Sequence, residues 1–190
     1  MEIHNLAARY ELAALDWQSV VDRLDAGFTQ APGTGGPDRH TCWLATIDAD
    51  GRPHVTGIGA MWHAGTFWFE TGRRTRKGRN LERDPRCTLS LALRDFDLVV
   101  EGDARLVTDP FTVAELAALW ADEWPCEVDE TGIALTAPYS APSAGPPPWH
   151  VYRIDVVSAT GLQTVAPGGA TRWRFSSSVK RRRPRSTPEA

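Results

Sequence analysis

The residues best suited to chemistry lie in one short segment, from Thr75 to Leu81. The segment directly follows a predicted strand and opens a predicted helix, so Thr75 can cap the helix while free backbone N–H groups of the first turn point outward. Arg76 and Lys77 add two cations, and Asn80 follows Arg76 by about one turn. Together with the helix dipole they favour an anion. The pattern predicts a phosphate cradle, and a solvated basic helix face is the alternative.

A second candidate lies inside a predicted strand, where Gly57 and Gly59 are separated by one residue. A dinucleotide fingerprint needs a third glycine and the start of a helix, and this strand has neither. Because glycine has no side chain, a flat ring can approach the backbone of such a strand closely. A bulge or bend in the strand is the alternative interpretation.

The sequence predicts no metal site and no particular catalytic residue. His40 and Cys42 come nearest to the spacing of metal ligands, but no second pair completes a site. The Gly-x-Ser-x-Gly nucleophile motif and the His-Glu-x-x-His motif do not occur. Covalent and metal-assisted hydrolysis are therefore disfavoured.

The candidate residues are positioned by a run of short strands with few helices. Turn residues separate the strands, most clearly at residues 48–51, where Gly51 can take a positive φ. Helices are predicted to begin after Asp16, Thr75 and Asp109, each of which can act as an N-cap. The predicted strands span residues 41–47, 53–63, 66–71, 87–94, 98–107, 149–158 and 171–175. Such antiparallel strands predict a closed barrel filled by side chains, so that a ligand must bind outside it.

A length of 190 residues fits one domain with appendages. We predict an N-terminal helical segment and loop at residues 1–38, a β-barrel domain at 39–175 and a disordered basic tail at 176–190. No apolar run is long enough to cross a membrane and no signal peptide is visible, so a cytoplasmic location without membrane contact is expected. The net charge of −3, with the cations clustered at residues 73–79 and in the tail, disfavours nucleic-acid binding.

The order of the elements and three groups of motifs resemble the split β-barrel flavin-binding superfamily that includes the pyridoxamine 5'-phosphate oxidases. These motifs are residues 43–46 with 50–55, residues 67–72 with 75–81, and residues 141–149 with 171–175. The last group is similar to the flavin/deazaflavin oxidoreductases, many of which use coenzyme F-420. The resemblance implies a mainly β fold, an antiparallel split β-barrel with short flanking helices.

The resemblance also implies roles for individual residues. In the superfamily, the run that corresponds to Thr75, Arg76 and Lys77 holds the cofactor phosphate, and the preceding strand contributes contacts at positions that correspond to Glu70 and Thr71. The strand that lies along the cofactor ring corresponds here to Val55, Gly57, Ile58, Gly59 and Ala60.

Members of the superfamily are homodimers with cofactor sites at the interface. This implies that Trp173 and Arg174 of one chain can contribute to the site of the other. The pyridoxamine-type oxidases have a glutamine that contacts the flavin ring, and its nearest counterpart here is Leu98. This departure disfavours vitamin B6 oxidation.

The expected function is hydride transfer between the deazaflavin coenzyme F-420 and an electron-poor small-molecule substrate. F-420 carries an acidic oligoglutamate tail, and Arg73, Arg74 and Arg79 offer cations beside the predicted cradle. Two alternatives stay open. One is an FMN-dependent reductase or oxidase on the same fold, and the other is a non-enzymatic flavin- or haem-type-binding protein.

Overall fold

The computed structural model of the protein describes residues 1–30 and 40–176. The described chain is mainly β, with three α-helices and a short 3-10 helix at Ala8–Tyr10. The strands are β1 (Glu2–Asn5), β2 (Cys42–Ile47), β3 (Pro53–Ile58), β4 (Ala60–His63), β5 (Thr66–Thr71), β6 (Arg86–Ala92), β7 (Phe96–Leu106), β8 (Glu127–Val128), β9 (Leu135–Thr136), β10 (His150–Gln163) and β11 (Gly169–Arg174). The helices are α1 (Trp17–Asp25), α2 (Arg76–Arg83) and α3 (Pro110–Trp120).

One antiparallel sheet of nine strands forms the body of the fold. Its main path runs β1-β11-β10-β7-β6-β2-β3. Strand β10 is its longest member at 14 residues, and it pairs with β11, β7 and β5. The remaining strand, β4, pairs with β5. The predicted antiparallel, mainly β fold is confirmed.

The sheet is split where β3 gives way to β4. Strand β3 pairs with β2, whereas β4 pairs with β5 at the other end of the strand order, and only Gly59 separates the two strands along the chain. The single predicted strand at 53–63 is therefore wrong. The expected closed barrel is wrong too, since the two ends of the strand order, β3 and β4, are joined only along the chain, with an interruption at Gly59. The barrel is split at Gly59.

Two apolar clusters hold the fold together. The first fills the inside of the curved sheet and includes Leu44, Phe67, Phe69, Leu89 and Trp173, each at most 1% exposed. The second lies on the opposite face of β4 and β5, where α3 and the connection that follows it pack. Its buried members are Trp68, Val113, Leu116, Ala117, Trp120, Leu135, Ala144, Trp149 and Val151. Burial of this much apolar surface is the main stabilising contribution to such a fold.

The helix starts follow the predicted capping chemistry. The Asp16 carboxylate accepts from the Ser19 amide at 3.3 Å, and Asp109 accepts from the Thr112 amide at 2.9 Å. Each bond satisfies an N–H group that the first turn of a helix leaves without a partner. The predicted N-caps are therefore confirmed at α1 and α3.

Three strands are absent from the prediction. Strand β1 pairs with β11, and β8 pairs with β9 in a two-stranded sheet. Strand β1 is an edge strand whose residues are almost all exposed, so it lacks the alternation of apolar and polar residues that identifies a strand. Strands β8 and β9 have two residues each, too few to show a period. Because residues 31–39 and 177–190 lie outside the described chain, the predicted loop, the tail and the domain division stay predictions.

The described helices are short. None of them has the length and the apolar content that a membrane crossing requires.

The first prediction concerns Gly102, where β7 meets a bulge of β10 between Val156 and Ser158. A Cβ atom at Gly102 would clash with the carbonyl oxygen of Asp155 and lie 3.0 Å from the Ile154 side chain. Gly102→Ala should therefore lower the free energy of unfolding by roughly 1–3 kcal/mol, the usual cost of overpacking. Urea unfolding measures this effect.

The control is Gly57→Ala, because the nearest atom to a Cβ at Gly57 lies at 3.6 Å. This substitution should change the free energy of unfolding by less than about 0.5 kcal/mol. Equal stability of the two variants would contradict the packing assigned to Gly102.

Candidate functional site

The first turn of α2 is fixed by the hydroxyl of Thr75. This hydroxyl donates to the Gly72 carbonyl at 2.8 Å and accepts from the Gly78 amide at 3.1 Å. The Thr71 hydroxyl lies 3.1 Å from it. The strand end, the short loop and the helix start are thereby connected through one side chain, and the N-cap predicted at Thr75 is confirmed.

This arrangement leaves donors available at the helix start. Within the described chain, the backbone N–H groups of Arg76 and Lys77 have no acceptor. They are first-turn N–H groups at the positive end of the helix dipole. Such groups bind phosphate oxygens well, so the backbone fits the predicted cradle.

Lys77 is the central charge of this region. The residue is only 2% exposed, and its ammonium group donates to the carbonyl oxygen of Ser143. Burial lowers the pKa of Lys77 to about 8, and the nearby Glu70 carboxylate opposes that shift. The group is therefore mostly charged at neutral pH and ready to pair with an anion.

Glu70 brings an opposing charge to the same place. Its side chain is half-buried on β5, within electrostatic range of Lys77, Cys126 and Tyr139. Burial raises the pKa of Glu70 to about 7, and the positive charge of Lys77 partly offsets this rise. A carboxyl group therefore faces the predicted phosphate ligand, and it changes its charge close to neutral pH.

The other two polar residues of the predicted cradle are bound to Asp48. The Arg76 guanidinium donates to both carboxylate oxygens of Asp48, and Asn80 donates to Asp48 at 2.8 Å and to the Thr46 hydroxyl at 3.1 Å. Hydrogen bonds from Arg76 and then Asn80 lower the pKa of Asp48 to about 2. Asn80 is 4% exposed, so its amide serves the fold in this structure. Arg76 remains exposed but already has a counter-ion.

The residues predicted along a cofactor ring fall into two groups. Val55 and Gly57 lie on the outer face of β3, where Gly57 pairs with Trp43 of β2. Ile58 and Ala60 are buried, 6% and 0% exposed, and contribute to the core inside the sheet. The structure therefore offers the outer face of the strand, and not these two side chains, to a ligand.

Gly59 is already covered by a ring of the protein itself. A Cβ atom at Gly59 would lie 3.1–3.4 Å from three carbons of the Trp124 indole. The prediction that a ring approaches the backbone there fits this geometry, but the ring belongs to Trp124. On the same strand segment, the Gln30 side chain bonds both the amide and the carbonyl of Ala60.

Trp173 and Arg174 have opposite environments on β11. The Trp173 ring is fully buried, with its centroid 5.1 Å from that of Trp17, so it cannot reach the site of a second chain. The contribution predicted for Trp173 is corrected on this ground: the side chain is part of the core. Arg174 is exposed, opposite Glu2 and Ser158 in the sheet, and its predicted role stays open.

Sequence reasoning missed three features of the site. Asp48 is the counter-ion of Arg76, and His54 lies near Arg76 and Lys77, where burial and then Arg76 lower the pKa of the imidazole. The third feature is the contact of Ser143 with Lys77, because residues 141–149 were noted only as a motif of the resemblance. Asp48 begins the predicted hairpin turn and His54 follows it, and this turn is the only sequence signal for their proximity.

The three additional arginines near the cradle differ in their partners. Arg73 forms an ion pair with Glu82 at 2.5 Å. Arg74 and Arg79 are exposed, and neither has a carboxylate partner in the described part of the chain. In that same part, no group of three or more histidine, cysteine, aspartate or glutamate side chains gathers to hold a metal ion.

The fold and the basic helix start beside the sheet define a class of protein, the split antiparallel β-barrels. A family model described as pyridoxamine 5'-phosphate oxidase matches residues 36–159. The chain belongs to this family of flavin-binding oxidoreductases.

Individual relatives agree with this assignment. The pyridoxine/pyridoxamine 5'-phosphate oxidase of Paraburkholderia phymatum is 29% identical over 175 residues, which cover 79% of this chain and 81% of the relative. A pyridoxamine 5'-phosphate oxidase-related, FMN-binding protein from Nostoc punctiforme shares the fold with a TM-score of 0.56 at 16% identity, covering 87% of this chain and 94% of that one. PhzG from Burkholderia lata, solved in complex with tetrahydrophenazine-1-carboxylic acid, shares the fold with a TM-score of 0.56 at 16% identity. The match covers 90% of this chain and 92% of that one.

The second prediction concerns Glu70 and pH. The folded protein raises the pKa of Glu70 from 4.5 to about 7, so between these values the native state binds a proton that the unfolded state has released. Stability should therefore fall as pH rises from about 4.5 to about 7. In Glu70→Gln this loss should shrink by on the order of 1–3 kcal/mol, measured by urea unfolding at both ends of the range.

Glu82→Gln is the matched control, since it removes an exposed carboxylate from the neighbouring helix. Its stability should follow the wild-type pH profile. A Glu70→Gln profile that overlays the wild type would show that Glu70 is solvated in the native state.

Proposed function

We propose that the protein is an oxidoreductase that transfers hydride between coenzyme F-420 and an electron-poor organic substrate. The observation that carries this proposal is the helix start of α2, where the buried Lys77 ammonium and two free backbone N–H groups form a cradle for a phosphate. The cofactor, when bound, supplies the hydride chemistry, and the protein supplies binding and orientation. No residue is assigned as a catalytic acid or base.

The choice of F-420 rests on the charges next to the cradle. Arg74 and Arg79 project from the loop and the helix that carry Lys77, and within the described residues they lack a carboxylate partner. An acidic oligoglutamate tail would provide carboxylates for both guanidinium groups. FMN has no such tail and would leave these arginines in solvent.

FMN is the second candidate, and the family supports it equally. The relative from Nostoc punctiforme is described as FMN-binding, and the same phosphate cradle suits FMN. The two candidates are distinguished by absorbance. Protein from a host without F-420 should be colourless if F-420 is the cofactor and yellow if it is FMN. A titration of colourless protein with each compound then measures both affinities.

The third prediction tests the cradle. Lys77→Ala should weaken binding of the preferred cofactor by about 1.5–3 kcal/mol, the range for a hydrogen bond to a charged group. Calorimetric titration measures this loss. Arg83→Ala is the control, because Arg83 lies on the same helix but donates to the Ile47 carbonyl, and its affinity should match the wild type. If wild type, Lys77→Ala and Arg83→Ala bind the cofactor with equal affinity, the phosphate is not bound by Lys77.

The family resemblance further supports a homodimer with cofactor sites at the interface. The outer face of β2, β6 and β7 carries an open groove of about 630 Å³ that includes Trp43, Ser90 and Val99. Within the groove Trp43 is 50% exposed, and on the neighbouring strand Val55 is 56% exposed. An exposed tryptophan next to an exposed valine suits a contact with a second copy of the chain.

The fourth prediction tests this contact. Trp43→Glu should shift the protein from dimer to monomer in light scattering, because it places a charge in the centre of an apolar interface. Phe111→Glu is the control, since Phe111 is 86% exposed at the start of α3, away from the groove. Wild-type protein that is monomeric, or a Trp43→Glu variant that stays dimeric, would refute this interface.

A further inference from the structure

A compact turn at residues 141–145 precedes β10 and lies on the candidate cradle; we call it the cradle turn. The amides of Ala144 and Gly145 both donate to the Ala141 carbonyl, at 3.1 and 2.7 Å, and the Ala141 amide donates to the Gly145 carbonyl at 3.1 Å. Gly145 has a φ of +74°, a conformation that glycine adopts without strain. The turn therefore holds its shape through its own hydrogen bonds.

The cradle turn contacts the helix start at three points. The Ser143 carbonyl accepts from the Lys77 ammonium, and the Ala144 carbonyl accepts from the Gly72 amide at 3.0 Å. Gly145 lies so close to Thr75 that a Cβ atom there would be 3.4 Å from the threonine methyl group. Of these contacts, the Ser143 carbonyl occupies the Lys77 ammonium, which is the donor that a bound phosphate would use.

A tryptophan connects the cradle turn to the sheet. The Trp149 indole donates to the Gly145 carbonyl at 2.9 Å, and its ring belongs to the same buried cluster as Ala144. Trp149 is 3% exposed and directly precedes β10. The turn is therefore held to the sheet by a hydrogen bond at Gly145, two residues away from the carbonyl that contacts Lys77.

A buried ammonium group needs a partner in the absence of a ligand, because an unpaired charge in the interior is costly. The Ser143 carbonyl fills this need, but it is a neutral dipole. A phosphate oxygen forms a charge-assisted bond that is stronger than a bond to a neutral carbonyl. Ser143 is therefore a partner that an anion can replace.

We propose that the cradle turn is an internal competitor for the anion site: it occupies Lys77 in the free protein and lifts when a phosphate-bearing ligand binds. This inference rests on the proposed function of the cradle and adds a regulatory element to it. Affinity for the ligand then depends on how firmly the turn is held, as well as on the contacts that the ligand makes.

The fifth prediction uses a pair of matched tryptophans. Trp149→Phe removes the bond to Gly145. Trp68→Phe removes an equivalent indole bond in the same cluster, made to the His63 carbonyl at 2.9 Å and not to a residue of the turn. The first measurement is acylation of Lys77 by an amine-reactive reagent, followed by mass spectrometry. Lys180 is the only other lysine of the sequence and serves as the internal reference.

In Trp149→Phe the labelling of Lys77 relative to Lys180 should rise roughly two- to tenfold, the factor that one hydrogen bond contributes. Trp68→Phe should label like the wild type. Gly145→Ala strains the turn at its positive φ without changing the buried cluster, and it should also increase labelling. Identical labelling in all four proteins would overturn the proposal.

The second measurement is titration with FMN, F-420 and inorganic phosphate. Trp149→Phe should bind the preferred cofactor more tightly by the same factor, because less free energy is needed to lift the turn. Weaker binding would show that the turn contacts the ligand instead of competing with it, which overturns the proposal. If neither cofactor binds while inorganic phosphate protects Lys77 at lower concentration in Trp149→Phe than in wild type, the competition stands and the proposed cofactor function fails.

Discussion

The burial of one ammonium group constrains the whole candidate site. Lys77 is almost completely buried, and an unpaired ammonium group in such a position would lower the stability of the fold by on the order of several kcal/mol. The structure meets this cost with the Ser143 carbonyl and the nearby Glu70 carboxyl. Strand β5, helix α2 and the connection to β10 must therefore come together at one point. Thr75 joins the strand end to the helix start, which carries Lys77 in the first turn of α2.

The split of the sheet gives this site its second boundary. Strands β3 and β4 pair with different neighbours, so the hydrogen-bonded ladders end at Gly59. The outer faces of the two strands nevertheless follow each other along the chain. The second apolar cluster covers β4 and β5, and Trp124 extends the cover onto Gly59. Val55 stays exposed beside Trp43. The outer face is thus divided into a covered part and a bare part, and only the bare part is free for a ligand or a second chain.

Local sequence signals predicted the pieces of this arrangement better than their assembly. Thr75 as an N-cap and the antiparallel direction of the strands follow from residue types and spacing, and both agree with the structure. The break at Gly59 depends on which strands pair, and no local pattern reports that. Asn80 and Arg76 were assigned to the ligand because their spacing on a helix is visible, whereas their partner Asp48 is remote in sequence. Trp173 was assigned to the site of a second chain by the resemblance alone, and its burial is a property of the assembled fold.

A phosphate-bearing cofactor with an acidic tail needs two kinds of cation, one for the phosphate and one for the tail. The burial of the cations near the helix start differs in a way that suits these two needs. Lys77 is buried, so its attraction to a phosphate is only weakly screened by salt. Arg74 and Arg79 are exposed, and their attraction to carboxylates is strongly screened and tolerant of geometry. The buried cation therefore suits a compact group held in one orientation, and the exposed pair suits a flexible polyanion. A cofactor without the tail would use the first kind of interaction alone, so under the proposed function the surface arginines would be the residues that discriminate between the two cofactors.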